Sequence, residues 1–331
     1  MFAFPVLIGD IGGTNARFAV LSAPGRPYSL LPLMRTAASP NPVDSIRAAL
    51  ASHAGPAPRS SMIAVANRVD GLAVRLTNAD WTIDAGAIGE ALRMERVTLV
   101  NDYTPVAASA AMFDAARGDL APIGEPAFGG HGARLVLGPG TGFGAGALVP
   151  IEDRFAILAT EAGHMELGPA EGTEFALWPH IERVLGRVTV ETVLSGPGLA
   201  RLAVAVAEHR CEALPSSAPN DILEAGRKGV PVAVETLDLF ARLLGRFAGD
   251  LALAFEASGG VFIAGGIAPR MVDILQAGAF RQAFDSKSPH DAWARRVPAA
   301  VIVHPAPALL GLAGLASDPK RFIFPSQSWL G

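Results

Sequence analysis

Short, mostly apolar runs recur along the chain, and segments with helical periodicity lie between them. Runs of this length predict buried strands, whereas apolar positions spaced three and four apart predict helices. The predicted strands are residues 6–8, 17–21, 62–66, 72–76, 97–100, 135–137, 147–149, 155–160, 260–264 and 300–303. The predicted helices are residues 43–51, 88–93, 174–185, 198–209, 234–256 and 308–316. Strands that alternate with helices predict an α/β fold whose sheets are covered on both faces.

Two of the predicted strand pairs are separated by Gly-rich turns of similar sequence. The first turn reads GDIGGTN over residues 9–15, and the second reads GPGTG over residues 138–142. Because adjacent glycines permit the positive φ values of tight turns, each strand–turn–strand segment predicts a hairpin. The two hairpins predict two related domains, as does the length of 331 residues, although two hairpins can also resemble each other by chance.

The charge balance is slightly acidic, because 27 Lys and Arg residues face 31 Asp and Glu residues, a formal net charge of −4. Nucleic acid is therefore not expected as a partner, since neutralising phosphates needs a basic surface. The single cysteine, Cys211, excludes both an intrachain disulfide framework and a zinc site built from several thiolates.

One uncharged stretch, residues 297–317, has the ~20 residues that a membrane-spanning helix needs. It contains Pro298, His304, Pro305 and Pro307, so we interpret it as a buried strand followed by a buried helix. The N-terminal residues lack the pattern of a secretory signal peptide. We therefore expect a cytoplasmic protein without a membrane partner.

The first Gly-rich turn carries a carboxylate beside a potential anion site. Successive backbone N–H groups in such a turn form a concave surface that suits phosphate. Asp10 would repel phosphate unless a divalent cation lay between them, so we interpret it as a magnesium partner, directly or through water. The alternative is that Asp10 only accepts hydrogen bonds from the turn.

The second Gly-rich turn matches two nucleotide motifs poorly. No Gly-x-x-x-x-Gly-Lys-Ser/Thr sequence occurs, which excludes a P-loop NTPase. Gly140, Gly142 and Ala145 loosely match the dinucleotide fingerprint, but a predicted strand follows where that motif needs a helix. A hairpin whose Thr141 hydroxyl and amides hold an outer phosphate fits better, and a nicotinamide dehydrogenase is the alternative.

Asn101 and Asp102 follow the predicted strand 97–100, at the kind of strand end where ligands bind in open α/β sheets. A helix is predicted next, with Thr104 as its N-cap and Pro105 at its first position. Asp102 suits a carboxylate that holds a substrate hydroxyl and accepts its proton. A helix-capping role for Asp102 is equally compatible with its position.

A third polar group, Glu161 and His164, follows the predicted strand 155–160, and both side chains could face one small polar ligand. His164 and Glu166 imitate the His-x-Glu of zinc deaminases, but the two cysteines of that motif are impossible with one cysteine in the chain. Glu191 lies further along, ahead of a predicted helix. Together these groups offer the many hydrogen bonds that a sugar needs.

Six motifs, taken in order, resemble those of the bacterial ATP-dependent glucokinases, which belong to the hexokinase branch of the actin-like ATPases. They are residues 9–17, 101–102, 138–142, 161–164, 193–199 and 260–267. The resemblance extends from about residue 6 to residue 315 and leaves the tail 321–331 outside. It implies a two-domain α/β fold of the actin-like ATPase (ribonuclease H-like) type with a cleft between the domains. The small domain would comprise residues 1–111 and 305–331, and the large domain residues 112–304.

The resemblance also implies transfer of the γ-phosphate of MgATP to the 6-hydroxyl of glucose, which feeds glycolysis. Its cofactors would be ATP and Mg²⁺, and its assembly a homodimer. Asp102 would be the general base. The implied sugar ligands are Asn101, Asp102, Glu161, His164 and Glu191. The implied nucleotide-binding residues are Asp10, Gly12, Gly13, Thr14, Asn15, Gly138, Gly140, Thr141, Gly142, Gly265 and Gly266, with Asp10 on the magnesium.

Two departures from related sequences matter. Family members usually have a proline after the strand equivalent to residues 63–66, whereas this chain has Asn67, Arg68 and Val69, which leaves the choice between glucose, mannose and other hexoses open. The zinc motif of the related repressor and kinase branch is absent, so we expect the chain to lie outside that branch. Two further alternatives, a sugar-responsive regulator and a catalytically silent scaffold, are disfavoured. No helix-turn-helix fits ahead of the first turn, and the polar set is retained.

Overall fold

The computed structural model describes residues 1–76, 79–113, 117–125, 129–214 and 216–331. Its strands are β1 (Val6–Ile11), β2 (Asn15–Leu21), β3 (Ser29–Leu30), β4 (Met34–Arg35), β5 (Ser60–Val65), β6 (Ala73–Arg75), β7 (Thr82–Asp84), β8 (Arg96–Asn101), β9 (Leu120–Pro122), β10 (Arg134–Pro139), β11 (Phe143–Ile151), β12 (Arg154–Thr160), β13 (Gly260–Ile263), β14 (Ala299–Ile302), β15 (Phe322–Ile323) and β16 (Gln327–Leu330).

The helices alternate with these strands, as the sequence predicts. They are α1 (Pro42–Leu50), α2 (Ala85–Leu92), α3 (Tyr103–Ser109), α4 (Gly172–Leu177), α5 (Val190–Val193), α6 (Gly196–Arg210), α7 (Pro219–Arg227), α8 (Pro231–Ala254), α9 (Val272–Gln276), α10 (Ala279–Asp285), α11 (Asp291–Ala294) and α12 (Pro307–Ser317). Among the helices of the described residues, none is both long enough and apolar enough to cross a membrane.

The chain divides into two compact units. The first comprises Met1–Phe113, Gly146–Ala159 and His304–Gly331, and the second comprises Asp114–Ala145 and Thr160–Val303. This division follows from packing within each unit, and the domain boundaries implied by the resemblance stay a prediction.

The first unit is built on a sheet of order β16-β8-β5-β1-β2-β3, with β4 also paired to β2. Strands β1, β5 and β8 are parallel, while β2 and β16 run antiparallel to their neighbours β1 and β8. Leu7, Ile63 and Leu99 are completely buried in its core. Because β1, β5 and β8 are parallel, the residues that follow them lie at one edge of the sheet.

The second unit contains the strand order β10-β13-β14-β9, in which β10, β13 and β14 are parallel and β9 is antiparallel. The 24-residue helix α8 is the longest element among the described residues, and buried side chains such as Phe240 and Leu244 line most of its length. The register pairs Leu137 with Ile263, so the segments after β10 and β13 also share one sheet edge.

Two of the predicted helices differ from the structure. The helix predicted over 174–185 is wrong beyond Leu177, where α4 ends and a 3-10 turn containing Pro179 follows. The predicted cap of α3 is also wrong, since the helix begins at Tyr103 and Thr104 is a buried residue inside its first turn. Pro105 is tolerated there because the first N–H groups of a helix have no partner within it.

Candidate functional site

The first Gly-rich turn connects β1 to β2 as an antiparallel hairpin, as predicted, with Ile11 opposite Ala16. The turn closes through a hydrogen bond from the Gly12 N–H to the Asn15 carbonyl (2.9 Å). Within the part of the chain that the structure describes, no group accepts a hydrogen bond from the N–H of Gly13 or Thr14. Two unoccupied donors side by side are what an anion such as phosphate needs.

A buried residue that sequence reasoning missed holds this turn in place. The Thr36 hydroxyl donates to the Gly12 carbonyl (3.1 Å), and the Thr36 N–H donates to the Thr14 carbonyl (3.0 Å). Thr36 begins a 3-10 turn, Thr36–Ala38, far from any Gly-rich sequence. Its neighbours in the sequence therefore carry no signal of this role.

Asp10 lies on β1 directly opposite Arg17 on β2, and its carboxylate is 3.8 Å from the Arg17 guanidinium. Burial raises the pKa of Asp10, and the positive charge of Arg17 opposes that rise. In the described residues the Asp10 carboxylate pairs with Arg17 and not with the turn amides, which disfavours the interpretation of Asp10 as a residue that only satisfies the turn.

Asn101 and Asp102 lie at the same sheet edge as the first turn. The register places Ile11 beside Val65 and Val65 beside Asn101, so two strand spacings, roughly 10 Å, separate Ile11 from Asn101. The Asn101 side chain accepts from the Tyr103 N–H (2.9 Å) and donates to the Asn67 carbonyl (3.2 Å). The Asp102 N–H donates to the Val65 carbonyl (3.0 Å).

Asp102 precedes α3, but its side chain makes no capping hydrogen bond to that helix. The Asn101 side chain instead satisfies the first N–H of the helix. The capping alternative for Asp102 is therefore wrong.

The second Gly-rich turn follows β10 and leads into β11. It closes through a hydrogen bond from the Gly140 N–H to the Gly142 carbonyl (2.8 Å), and again no described residue accepts from the N–H of Thr141. Since a strand follows the turn, the structure does not supply the helix N-terminus of the dinucleotide fingerprint. The nicotinamide alternative therefore loses its structural basis.

The positive φ angles predicted for the glycines of both turns are absent. In the described residues none of the glycines of either turn has a positive φ. Each connection spans three residues, so neither is the two-residue primed turn on which that prediction rested. The glycines instead leave the backbone donors uncovered, because no side chain screens them.

Gly265 and Gly266 follow β13 and reach the second turn from the neighbouring strand. Gly265 has a φ of +85°, and a Cβ there would overlap the Pro139 carbonyl, so only glycine fits this position. The Ala264 N–H donates to the Leu137 carbonyl (2.7 Å), which keeps the two strand ends in register. The structure thus brings the two glycine segments of the second unit together.

Glu161 precedes the 3-10 turn Ala162–His164 and His164 ends it, and both side chains are exposed, with 3.8 Å between Oε2 and Nε2. Arg187 supports this loop by donating to the Glu166 carboxylate (3.1 Å) and to the His164 carbonyl (3.2 Å). The loop also pairs antiparallel with the segment that leads to Glu191, because Glu166 bridges Thr189.

Glu191 lies in α5 and contacts the second Gly-rich turn. Its Oε2 accepts a hydrogen bond from the Phe143 N–H (2.8 Å), 48 residues away in sequence. Within the second unit, the predicted sugar-side residues Glu161, His164 and Glu191 and the turn 138–142 therefore belong to one hydrogen-bonded assembly. In the first unit, the turn 12–15 and Asn101–Asp102 share a sheet edge.

The described residues contain no cluster of three or more His, Cys, Asp or Glu side chains that could hold a metal ion. A single carboxylate at a phosphate site is nevertheless sufficient for Mg²⁺, which keeps several waters and takes its other ligands from nucleotide phosphates. Asp10, beside the uncovered N–H groups of the first turn, provides such a carboxylate.

Comparison with known proteins identifies close relatives along nearly the whole chain. The glucokinase family model matches residues 7–319. A glucokinase of Brucella suis biovar 1 (strain 1330) is 41% identical over 322 residues, which are 97% of this chain and 93% of that protein.

Solved structures give the same result. The crystal structure of a glucokinase from an Antarctic psychrotroph superimposes with a TM-score of 0.84 at 30% identity, covering 96% of this chain and 100% of that one. A glucokinase of the ROK family from Streptomyces griseus, solved with glucose and AMPPNP, has a TM-score of 0.63 at 25% identity and covers 94% and 98%. These similarities confirm the predicted α/β fold of the actin-like ATPase type.

Proposed function

The chain belongs to the glucokinase family, and we propose that it transfers the γ-phosphate of ATP to the 6-hydroxyl of D-glucose, giving glucose 6-phosphate and ADP. The observation that carries this proposal is similarity to glucokinases over almost the full chain, with the resembling motifs all present in order. An ATP-dependent hexose kinase needs a proton acceptor, a sugar site and two phosphate sites, and each has a candidate in this chain.

Asp102 is proposed as the general base. It follows a central strand, and its carboxylate is not engaged in capping α3. Deprotonation of the sugar hydroxyl as it attacks phosphorus requires a carboxylate within hydrogen-bond distance of that hydroxyl. Asn101 supports this position, since its amide bonds both to the Tyr103 N–H at the start of α3 and to the Asn67 carbonyl after β5.

The two Gly-rich turns are proposed to hold the phosphates of ATP. Phosphoryl transfer depends on positioning and on stabilising negative charge more than on covalent chemistry with the protein. Gly12, Gly13, Thr14 and Asn15 would act from the first turn, and Gly138, Gly140, Thr141 and Gly142 from the second. Gly265 and Gly266 are proposed to contact the adenosine side.

Magnesium is proposed to bind beside Asp10, directly or through water, and would neutralise charge on the phosphates. The nearby cation would favour the ionised form of the Asp10 carboxyl, whose pKa burial raises in the free protein. Arg17, 3.8 Å from that carboxylate, would be a second positive charge at the site.

The sugar is proposed to be bound by Asn101, Asp102, Glu161, His164 and Glu191. The glucokinases from Balamuthia mandrillaris and Streptomyces griseus have both been solved with glucose, and the latter with AMPPNP as well. A carboxylate and amide set of this kind suits a ring with many hydroxyl groups, because each hydroxyl both donates and accepts hydrogen bonds.

A coupled assay across sugars and donors tests the proposal. Glucose, mannose, fructose and N-acetylglucosamine would each be tried with ATP, GTP and polyphosphate as donors. We expect the highest kcat/KM for glucose with ATP, and no turnover after magnesium is chelated. No turnover of any hexose with any donor would overturn the proposal, whereas a preference for mannose would point to the segment of Asn67 and Arg68 that bonds Asn101.

A further inference from the structure

Phe143, the residue that follows the second Gly-rich turn, is held from two sides, by Glu191 of the proposed sugar site and by the Glu-Ala-Gly-His loop. On one side the Glu191 Oε2 accepts a hydrogen bond from the Phe143 N–H (2.8 Å). On the other side Gly163 packs so closely on the Phe143 carbonyl that a Cβ at Gly163 would overlap it. The turn therefore cannot shift without disturbing both Glu191 and the Glu-Ala-Gly-His loop.

The contact between Glu191 and the turn is tight. A Cβ at Gly142 would overlap the Glu191 Oε2 and lie 3.1 Å from its Cδ. Gly142 does not have a positive φ, so its backbone conformation does not require glycine. Glycine is required here because the Glu191 carboxylate occupies the space that a Cβ would fill. Hydrogen bonds from a neutral N–H to a carboxylate are roughly twice as strong as those between neutral groups.

Glu191 is itself fixed to a rigid element. The Ser195 hydroxyl donates to the Glu191 carbonyl (2.7 Å) and accepts from the Gly198 N–H (3.0 Å), so it caps the 15-residue helix α6. The Gly196 N–H of the same helix donates to the Gly140 carbonyl (2.8 Å). The start of α6 therefore holds both ends of the turn: Gly140 directly, and Phe143 through Glu191.

We propose that Glu191 is a positioning residue for the phosphate-binding turn, in addition to its proposed contact with the sugar. Its carboxylate orients the Thr141–Gly142–Phe143 backbone so that the uncovered donors face the nucleotide, and nucleotide affinity therefore depends on Glu191 even when no sugar is present. This inference rests on the proposed function, because it takes the turn 138–142 to be a phosphate site.

The test compares Glu191→Ala, Glu191→Gln and Glu161→Ala. Glu161 is the matched control, since it belongs to the same proposed sugar set but is exposed and its nearest charged partner is His164. The dissociation constant of AMPPNP with magnesium is measured by titration calorimetry without sugar, and KM values for ATP and glucose are measured separately.

We expect E191A to weaken AMPPNP binding roughly tenfold, which corresponds to about 1.4 kcal/mol. E191Q should recover most of that loss, because its amide oxygen can accept the same Phe143 N–H. E161A should change the AMPPNP dissociation constant by less than twofold, while its KM for glucose rises as in E191A. Wild-type AMPPNP affinity in E191A would overturn the inference.

A second variant separates a positioning role from a folding defect. Gly142→Ala should weaken AMPPNP binding strongly in the wild-type background and much less when combined with Glu191→Ala, because removal of the carboxylate makes room for the new Cβ. Equal effects in both backgrounds would overturn the inference. Loss of glucose phosphorylation by the wild-type chain would instead overturn the proposed function, and failure of the wild-type chain to bind AMPPNP would overturn both.

Discussion

Replacing Gly311 with alanine should destabilise the first unit and slow catalysis, because helix α12 packs at that point on the backbone of α3. A Cβ at Gly311 would overlap the Pro105 carbonyl oxygen and lie 2.6 Å from its carbon. The neighbouring Gly314 provides a matched control on the same helix. A Cβ there would overlap only the flexible end of the Met112 side chain, which can move aside.

The expected sizes follow from two opposing terms. Alanine stabilises a helix interior by about 1 kcal/mol relative to glycine, equally at both positions. Overpacking against backbone costs about 1–3 kcal/mol, and the Pro105 contact is at the upper end of that range because a helix backbone cannot rotate away. Gly311→Ala should therefore lower the free energy of unfolding by about 1–2 kcal/mol, whereas Gly314→Ala should leave it unchanged or raise it by up to ~1 kcal/mol.

Urea unfolding followed by circular dichroism measures the stability of both variants, and a coupled assay measures kcat. Because α3 begins next to Asp102, a displaced α3 should lower kcat in Gly311→Ala roughly tenfold or more, since small errors in positioning reacting groups are costly. Equal stability and equal kcat in the two variants would refute the reasoning, because it would show that α12 adjusts without moving α3.

Three further predictions concern single contacts. Without magnesium, wild type should lose stability relative to Asp10→Asn as the pH rises from 3.8 towards the raised pKa of Asp10. The reason is that the folded wild type binds the Asp10 proton more tightly than the unfolded chain does. A constant difference in urea midpoint between the two proteins across that range would contradict this. Arg246→Met should cost about 1–3 kcal/mol in urea unfolding, because the fully buried Glu174 carboxylate loses its 2.6 Å partner but keeps Arg242 at 3.8 Å. Arg201→Met, which removes a more exposed ion pair with Glu182, should cost below ~1 kcal/mol, and equal costs would be inconsistent with the burial. Trp329→Ala should cost at most about 3 kcal/mol by thermal and urea unfolding, since the half-buried indole packs on α2, and no loss would mean that the tail does not contribute to the first sheet.

The hairpins and most strands were predictable because their signals are local. Apolar runs next to Gly-rich turns define β1–β2 and the β10 strand end within a few residues. The errors are local as well. After α4 the chain forms a 3-10 turn containing Pro179, which apolar periodicity alone does not reveal. The Asn101 side chain accepts from the first N–H of α3, whereas the sequence pattern predicted Thr104 as the cap of this helix.

The supports of the site were not predictable, because they depend on long-range packing. Thr36 donates a hydrogen bond to the first turn from 24 residues away, and the Phe143 N–H donates to Glu191, which is 48 residues away. Neither residue belongs to a motif, and a threonine or a phenylalanine in a strand-rich segment normally indicates only packing. The position of Asp102 at a strand end and the resemblance predicted the roles proposed for Asp102 and Glu191, whereas the contacts around these residues required the structure.

The central claim is that Asp102 accepts the proton of a glucose hydroxyl during transfer from ATP. The most direct test is a comparison of kcat for glucose phosphorylation between wild type and Asp102→Asn, together with the glucose dissociation constant of each. General-base catalysis contributes about 10²–10⁴-fold, so kcat should fall at least about a hundredfold while glucose affinity stays within about threefold. A variant that keeps more than about a tenth of wild-type kcat would contradict the account, because a general base contributes far more than that.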